Sequence, residues 1–110
     1  MHYSMETSKH VSFPAQLDDS TAQHIAELFS ILGDTSRVKI IAALLAGPMN
    51  VQSLAETVGI SPSAISHHMR SLRQMHLVRA HKQGRQVFYS LDDQHVEQLF
   101  LRGMDHVLHG

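Results

Sequence analysis

The chain has 110 residues, a formal net charge of −1 with histidine neutral, and no cysteine. This length suits one compact domain with a modest core, so pairing with a second copy would add stability. Without cysteine, disulfides and thiolate metal sites are excluded. We find no secretion signal and no apolar run long enough to cross a membrane, so we expect a cytoplasmic protein without membrane contact.

The charges are distributed unevenly along the chain. Between Thr57 and Leu91 there is no Asp or Glu, whereas five basic residues lie in that window: Arg70, Arg73, Arg79, Lys82 and Arg85. A cationic middle in a nearly neutral chain indicates a surface that contacts phosphate. Charge alone is equally consistent with a solvated charged face.

The first 18 residues are polar and show no periodicity, which predicts a mobile arm or a short extra helix. One domain is expected over residues 19–110. It begins with a helix over residues 20–32, for which Ser20 or Thr21 is the predicted N-cap.

Three further helices are predicted before the pattern changes. Asp34 caps the first, a short one ends at Gly59, and Ser61 with Pro62 begins the third. The expected core residues of these helices are Val38, Ile41, Leu44, Leu45, Val51, Leu54, Ala55, Val58, Ile65, Met69 and Leu72.

The apolar period then changes from helical spacing to two. This predicts strands at residues 77–80 and 86–91 with a hairpin tip at residues 83–85. A last helix, capped by Asp92 or Asp93, completes a mainly α fold with a small β-hairpin.

Residues 51–70 match the spacing of a helix-turn-helix. Ala55 is small where the two helices cross, Gly59 supplies the positive φ of a tight turn, and Ile65 anchors the second helix. Because the hairpin follows directly, we predict the winged version of this motif and a double-stranded DNA partner.

Polar side chains are expected to face outward from the second helix of the motif and from the hairpin, where they suit base edges and phosphates. The predicted DNA-binding residues are Ser63, Ser66, His67, Arg70, Lys82, Gln83, Arg85 and Gln86. Solvation of an ordinary surface helix is the alternative explanation. His68 neighbours the apolar stripe, so we predict that it is packed and hydrogen-bonded.

Three histidines share one stripe of the last helix. At about 100° per residue, His106 lies about 20° from His95 around the axis, and His109 lies about 40° away on the other side. Asp93 is off this stripe if it is helical, so it reaches His95 only if the first turn is irregular.

The spacing along the axis decides how these residues could meet. His95 and His106 are eleven positions apart, which is about 16 Å of helix, whereas metal–nitrogen bonds are about 2 Å. One straight helix cannot join both ends to one ion, but two antiparallel copies can. Asp93 and His95 of one subunit then meet His106 and His109 of the other in two symmetric sites. Three imidazoles and one carboxylate suit tetrahedral Zn(II) or Co(II).

The sequence resembles the ArsR/SmtB family of metal-responsive repressors over residues 20–109. The resemblance is carried by LGDTSRVKI at residues 32–40, SPSAISHHMR at residues 61–70 and GRQVFYSL at residues 84–91. Within this family, the sequence resembles the subgroup that binds zinc or cobalt on the C-terminal helices. This resemblance is carried by Asp93, His95, His106 and His109.

The resemblance implies a homodimer formed through the N- and C-terminal helices. Its metal-free form would bind an inverted-repeat operator and be released by Zn(II) or Co(II), which would derepress metal efflux or resistance genes. The resemblance further implies that His106 donates its second ring N–H to the backbone carbonyl of His76, so that His76 passes the metal signal to the DNA-reading elements.

Two departures from the family pattern are informative. Many relatives carry cysteine where this chain reads MNVQSL at residues 49–54, which argues against sensing arsenic, cadmium or lead there. Pro62 stands where many relatives have a polar residue, which removes one base contact.

Three alternatives remain open. A nickel or cobalt sensor of the same family would use octahedral geometry, with His2 or His10 as extra ligands. A metal-buffering protein would explain the histidines but not the helix-turn-helix. A zinc hydrolase is disfavoured because four protein ligands leave no position for activated water, and no nucleophile–base pair is evident. We therefore expect no enzyme.

Overall fold

The computed structural model describes residues 15–110, and this range contains five helices and a small antiparallel sheet. The helices are α1 (Asp19–Leu32), α2 (Thr35–Leu44), α3 (Val51–Val58), α4 (Pro62–Gln74) and α5 (Gln94–His109). The strands are β1 (Met49–Asn50), β2 (Val78–Gln83) and β3 (Gln86–Leu91). The mainly α fold with a hairpin is confirmed, whereas the predicted arm falls largely on residues outside the described range.

Side-chain caps begin the helices. Asp34 and Ser61 accept the N–H groups predicted for them, each at 3.1 Å. The first helix differs, because its N-cap is Asp18, whose carboxylate accepts the Thr21 N–H at 2.7 Å. The prediction of Ser20 or Thr21 as the N-cap was therefore wrong, because both residues lie within the first turn of the helix. The carboxylate of Asp18 is also stabilised by the positive end of the helix dipole.

One core joins α2, α3, α4, the hairpin and the start of α5. Its buried residues are Ile40, Ile41, Leu44, Leu54, Ala55, Ile65, Met69, Leu72, Leu77, Val78 and Val96. On α2 the prediction was wrong for Val38, which is 39 % exposed, while Ile40 is fully buried. The face that meets α3 and β3 is centred on Ile40 and Ile41, which turns Val38 toward α5.

The sheet has the order β1–β3–β2, with both neighbouring pairs antiparallel. Strand β1 was not predicted, because two residues are too few to show a period; Met49 pairs with Tyr89. Strand β2 runs three residues beyond its predicted end, so the turn is narrower than residues 83–85 and is centred on Gly84, which has φ 63°.

Helices α1 and α5 contribute little to this core. No residue of α1 is buried, and Val96 is the buried residue of α5. An apolar groove between α1, α2 and α5 is lined by Phe29, Leu32, Val38, Ala42, Leu99, Phe100, Gly103, Met104, Val107 and Leu108. Within residues 15–110, no helix has the length and apolar character that a membrane crossing requires.

Candidate nucleic-acid interface and metal-ligand residues

The helix-turn-helix has the geometry that was predicted from Ala55, Gly59 and Ile65. Ala55 and Ile65 are buried, and Gly59 adopts φ 83° at the end of α3. Its N–H donates to the Ala55 carbonyl at 2.8 Å. A side chain with a Cβ is strained at this φ, so glycine permits the sharp turn between α3 and α4.

Helix α4 separates an apolar side from a polar one. Its buried residues are Ile65, Met69 and Leu72, whereas Ser63, Ser66, His67 and Arg70 are all exposed. Pro62 occupies the first turn, where a missing N–H costs nothing. The four predicted α4 residues therefore share an accessible surface of one rigid helix.

The four predicted wing residues lie at the far end of the hairpin. Lys82, Gln83, Arg85 and Gln86 are exposed. Gln86 is tethered, because its Oε1 accepts a hydrogen bond from Asn50 Nδ2 at 3.1 Å. Asn50 of strand β1 thus holds the wing close to its tip.

A shallow groove between α4 and the sheet adds residues that were not predicted. It is lined by Ser66, Arg70, Arg73, Gln74 and Tyr89. Arg73 could have been predicted from the sequence, because it lies in the window without acidic residues and follows Arg70 by about one helical turn. Nothing in the sequence indicated Tyr89, since a tyrosine in a strand ordinarily belongs to the core. Two guanidinium groups beside hydroxyl groups suit a phosphate.

His68 is packed and hydrogen-bonded, as predicted. It is half-buried, and its Nδ1 accepts from Arg37 Nε at 3.1 Å. The ring of neighbouring His67 lies 5.9 Å away, edge to face. His68 therefore belongs to the support of α4, and His67 to its exposed surface.

Asp93 stands just outside α5 as its N-cap. Its backbone is extended, with φ −157° and ψ 180°, and Oδ1 accepts the Val96 N–H at 3.1 Å. Oδ2 lies 3.6 Å from His95 Nδ1. The Val96 N–H, followed by the nearby His95, lowers the pKa of this carboxyl. The irregular start that the sequence required is thus present, and it brings Asp93 to His95.

The other two predicted ligands lie in the last turn of α5. His106 and His109 are exposed, and His109 Nδ1 lies 3.1 Å from Asp105 Oδ1. An ionised carboxylate only accepts hydrogen bonds, so this contact favours the His109 tautomer with its proton on Nδ1, in which Nε2 is the ring nitrogen with a lone pair for a metal. Asp105 was not among the predicted residues, although its spacing of four from His109 was a readable signal.

The four predicted ligands do not meet within one chain. Helix α5 is continuous over 16 residues, so Asp93 and His95 lie at one end and His106 and His109 at the other. In the described part of a single chain, no three His, Cys, Asp or Glu side chains are close enough to hold one ion.

The donor set fits zinc or cobalt. The His95 side chain is 97 % exposed and that of His109 is 73 % exposed, so both rings are accessible to a second chain. Asp93 keeps Oδ2 outside the capping bond. One carboxylate oxygen and imidazole nitrogens are donors that Zn(II) and Co(II) accept in tetrahedral geometry.

His76, the predicted relay residue, occupies a distinctive place. It follows α4 with φ 56°, the positive φ that usually favours glycine. Its N–H donates to the Arg73 carbonyl at 3.0 Å, and the Leu77 N–H donates to the Leu72 carbonyl at 2.9 Å, which is a Schellman end. Its link to His106 stays a prediction.

Comparison with known proteins places these features in a family. The model of the family described as "Bacterial regulatory protein, arsR family" matches residues 34–80. The chain is 40 % identical over 94 residues to the transcriptional repressor SmtB homolog of Synechocystis sp. (strain ATCC 27184 / PCC 6803 / Kazusa), covering 86 % of this chain and 71 % of that protein. The chain belongs to the arsR family.

Further similarities agree with this membership. The HTH-type transcriptional regulator NmtR of Mycobacterium tuberculosis (strain ATCC 25618 / H37Rv) is 40 % identical over 95 residues, covering 86 % of this chain and 79 % of that protein. The solution structure of apo-NmtR has a TM-score of 0.74 at 39 % identity, covering 89 % of this chain and 82 % of that one.

A homodimeric winged helix-turn-helix DNA-binding domain from Mycobacterium bovis shares the fold at a TM-score of 0.73. It is 23 % identical and covers 89 % of this chain and 96 % of that one.

As an arsR-family member, the chain is a DNA-binding transcription regulator and not an enzyme. The arsR match extends from α2 to β2 and so includes the helix-turn-helix. It ends before α5, so the assignment of Asp93, His95, His106 and His109 depends on the geometry described above.

Proposed function

We propose that this regulator is a cytoplasmic homodimeric repressor that binds an inverted-repeat operator without metal and releases it on binding Zn(II), or Co(II). The regulated genes would serve metal efflux or resistance. The observation that carries the proposal is the placement of Asp93–His95 and His106–His109 at opposite ends of one unbroken helix.

The apolar groove supports a dimer through α1 and α5. Val107 is 82 % exposed and Leu108 is 65 % exposed, and both line the groove with Phe29 and Met104. Contiguous exposed apolar surface of this kind marks an interaction site. A two-fold axis across this face would lay the two α5 helices antiparallel.

Antiparallel α5 helices would make two identical metal sites. In each, Asp93 and His95 of one subunit and His106 and His109 of the other supply the donor atoms. The bound ion would supply a cross-link between subunits, since all four donors are protein groups and no open position remains for chemistry. Protonated imidazoles cannot ligate, so metal affinity should weaken at acid pH.

The DNA-reading surface would bind two half-sites related by the same axis. Ser63, Ser66, His67 and Arg70 of each α4 would contact base edges and phosphates in the major groove, and the wing would contact the neighbouring backbone or minor groove. Half-sites about 34 Å apart require a fixed spacing between the two α4 helices. A metal that alters this spacing releases the DNA.

His106 offers one route for that change. One ring nitrogen would bind the ion while the other donates to the His76 carbonyl, at the junction of α4 and β2. If His106→Gln kept both metal affinity and full metal-driven release, this route would be wrong.

Fluorescence anisotropy on a labelled inverted-repeat duplex tests the proposal. We expect tight binding by the metal-free protein and release by zinc or cobalt, with His24→Ala as a control histidine on α1 and His106→Ala unable to respond. Intense visible absorption of the Co(II) protein indicates four ligands. Weak absorption, with nickel as the stronger effector, would favour instead the nickel sensor using His2 or His10, which lie outside the described residues. Operator binding indifferent to all three metals would refute metal sensing.

A further inference from the structure

Arg37 of α2 makes three side-chain hydrogen bonds to two other helices. Its Nε donates to His68 Nδ1 at 3.1 Å, its Nη2 donates to Ser71 Oγ at 3.3 Å, and its Nη1 donates to the Ile31 carbonyl at 3.3 Å. His68 and Ser71 belong to α4, whereas Ile31 belongs to α1. One guanidinium therefore joins the end of α1 to the inner side of α4.

The chemistry of this contact demands arginine. A guanidinium is planar and rigid and presents donors in fixed directions, so it can hold three acceptors at once, whereas a lysine ammonium acts as a point charge. All three hydrogen bonds are partly buried. Because Nδ1 of His68 accepts, that ring carries its proton on Nε2. The contact thus selects one tautomer and one orientation of His68.

Both ends of the contact lie beside functional surfaces. On α4, His68 is next to His67, a member of the DNA-reading surface, at a ring distance of 5.9 Å. On α1, Ile31 is followed by Leu32, which lines the apolar groove together with residues of α5. An occupant of that groove would contact Leu32, the residue next to the Ile31 carbonyl that accepts from Arg37.

We propose that Arg37 is a positioning residue that transmits a change at the α1–α5 face to α4 through His68 and Ser71. The proposal rests on the proposed function, since the change transmitted is the difference between metal-free and metal-bound dimers. It provides a contiguous connection through α1 and α2, which is separate from the route through His106 and His76. Coupling between sites travels through packed and hydrogen-bonded elements of this kind.

The decisive comparison is Arg37→Gln against Lys39→Gln. Lys39 is an exposed residue of the same helix, and its replacement by glutamine removes the same charge as Arg37→Gln does. Neither residue belongs to the DNA-reading surface, so both variants should bind non-specific duplex about as tightly as the wild type. Arg37→Gln alone should lower the ratio of operator to non-specific affinity by about tenfold and reduce the zinc-driven change in operator affinity. Zinc affinity, measured by competition with a chelator, should be the same in both.

A double-mutant cycle identifies the partner. The losses caused by Arg37→Gln and His68→Ala should be less than additive in operator affinity, because both variants remove the hydrogen bond between Arg37 and His68. Fully additive losses, or equal operator ratios for Arg37→Gln and Lys39→Gln in folded dimers, would overturn the proposal. If Arg37→Gln does not fold, Ser71→Ala removes a single acceptor and should lower the same ratio; an unchanged ratio would count against the proposal.

Nitrogen NMR of the metal-free, DNA-free protein separates this inference from the proposed function. The His68 ring should show protonated Nε2 and accepting Nδ1 in the wild type and in Lys39→Gln, and a mixed tautomer in Arg37→Gln. A His68 signal unaffected by Arg37→Gln refutes the positioning role even in a protein that binds operator and metal. Failure of the wild type to bind either one refutes the proposed function, while the NMR comparison still decides the role of Arg37.

Discussion

Asp93 Oδ2 lies 3.6 Å from His95 Nδ1, while Oδ1 of the same carboxylate accepts the Val96 N–H at 3.1 Å. One oxygen therefore begins helix α5 and the other faces the predicted ligand ring. A cap requires only one side-chain oxygen, whereas a cap that also binds metal requires both. The two roles can be separated by substitution.

Asp93→Asn should keep the cap and lose the ligand. Asparagine caps helices as well as aspartate does, but its second atom is an amide nitrogen that cannot bind a cation. We expect a melting temperature near that of the wild type and a zinc affinity at least about tenfold weaker. Asp93→Ala should lose both, and Asp92→Asn is the neighbouring control. Wild-type zinc affinity in Asp93→Asn would remove Asp93 from the site.

Most helices and strands could be predicted from the sequence, because the patterns that indicate them lie within a few neighbouring residues. The apolar periods and the caps Asp34 and Ser61 predicted the helices and hairpin that the structure has. The exceptions have physical causes. Strand β1 exists because β3 offers it a partner, and a two-residue strand has no pattern of its own. Val38 was misplaced because tertiary packing, and not periodicity alone, selects the buried face of α2.

The candidate site was predictable where one helix carries it and not where distant elements meet. The residues of α4 and α5 could be placed from helical spacing. The groove that joins Arg73 to Tyr89 depends on how β3 packs against α4, and the Arg37–His68 bond spans 31 positions. No local pattern reports such contacts, although packing of His68 itself was predicted correctly.

Val107→Lys should weaken the dimer without unfolding the chain. Val107 is 82 % exposed in one chain, so its replacement costs the core nothing, whereas a charge buried between subunits is strongly unfavourable. Sedimentation should show a shift toward monomer, and operator affinity should fall with it. Val87→Lys, at an exposed apolar position of the hairpin, is the control and should remain dimeric. A fully dimeric Val107→Lys would place the interface elsewhere.

Arg73→Ala should weaken binding to all duplex sequences alike. A guanidinium in the groove between α4 and β3 is suited to phosphate, which carries no sequence information. The slope of log affinity against log salt should become shallower by about 1. Arg102→Ala on α5 removes the same charge away from the DNA-reading surface and should leave the slope nearly unchanged. Equal slopes for both variants would mean that Arg73 makes no phosphate contact.

Asp105→Asn should weaken metal binding through His109. A carboxylate oxygen 3.1 Å from Nδ1 favours the tautomer that is protonated there, so Nε2 would be the nitrogen that binds an ion. Partners of this kind typically contribute about 10–100-fold in metal affinity. Chelator competition should show a loss in that range, with the Co(II) spectrum still that of a four-ligand site. Glu97→Gln, elsewhere on α5, serves as the control, and a loss of equal size there would deny Asp105 a specific role.

A mixed dimer tests most directly whether the metal sites form between subunits. One chain would carry Asp93→Ala with His95→Ala, and the other His106→Ala with His109→Ala, each with a different affinity tag so that the heterodimer can be purified. Neither homodimer should bind zinc tightly, because each lacks two of the four donors at both sites. The heterodimer should regain one site of wild-type affinity per dimer, because the intact ends of its two chains meet. A heterodimer that binds no better than the parent homodimers would contradict the account.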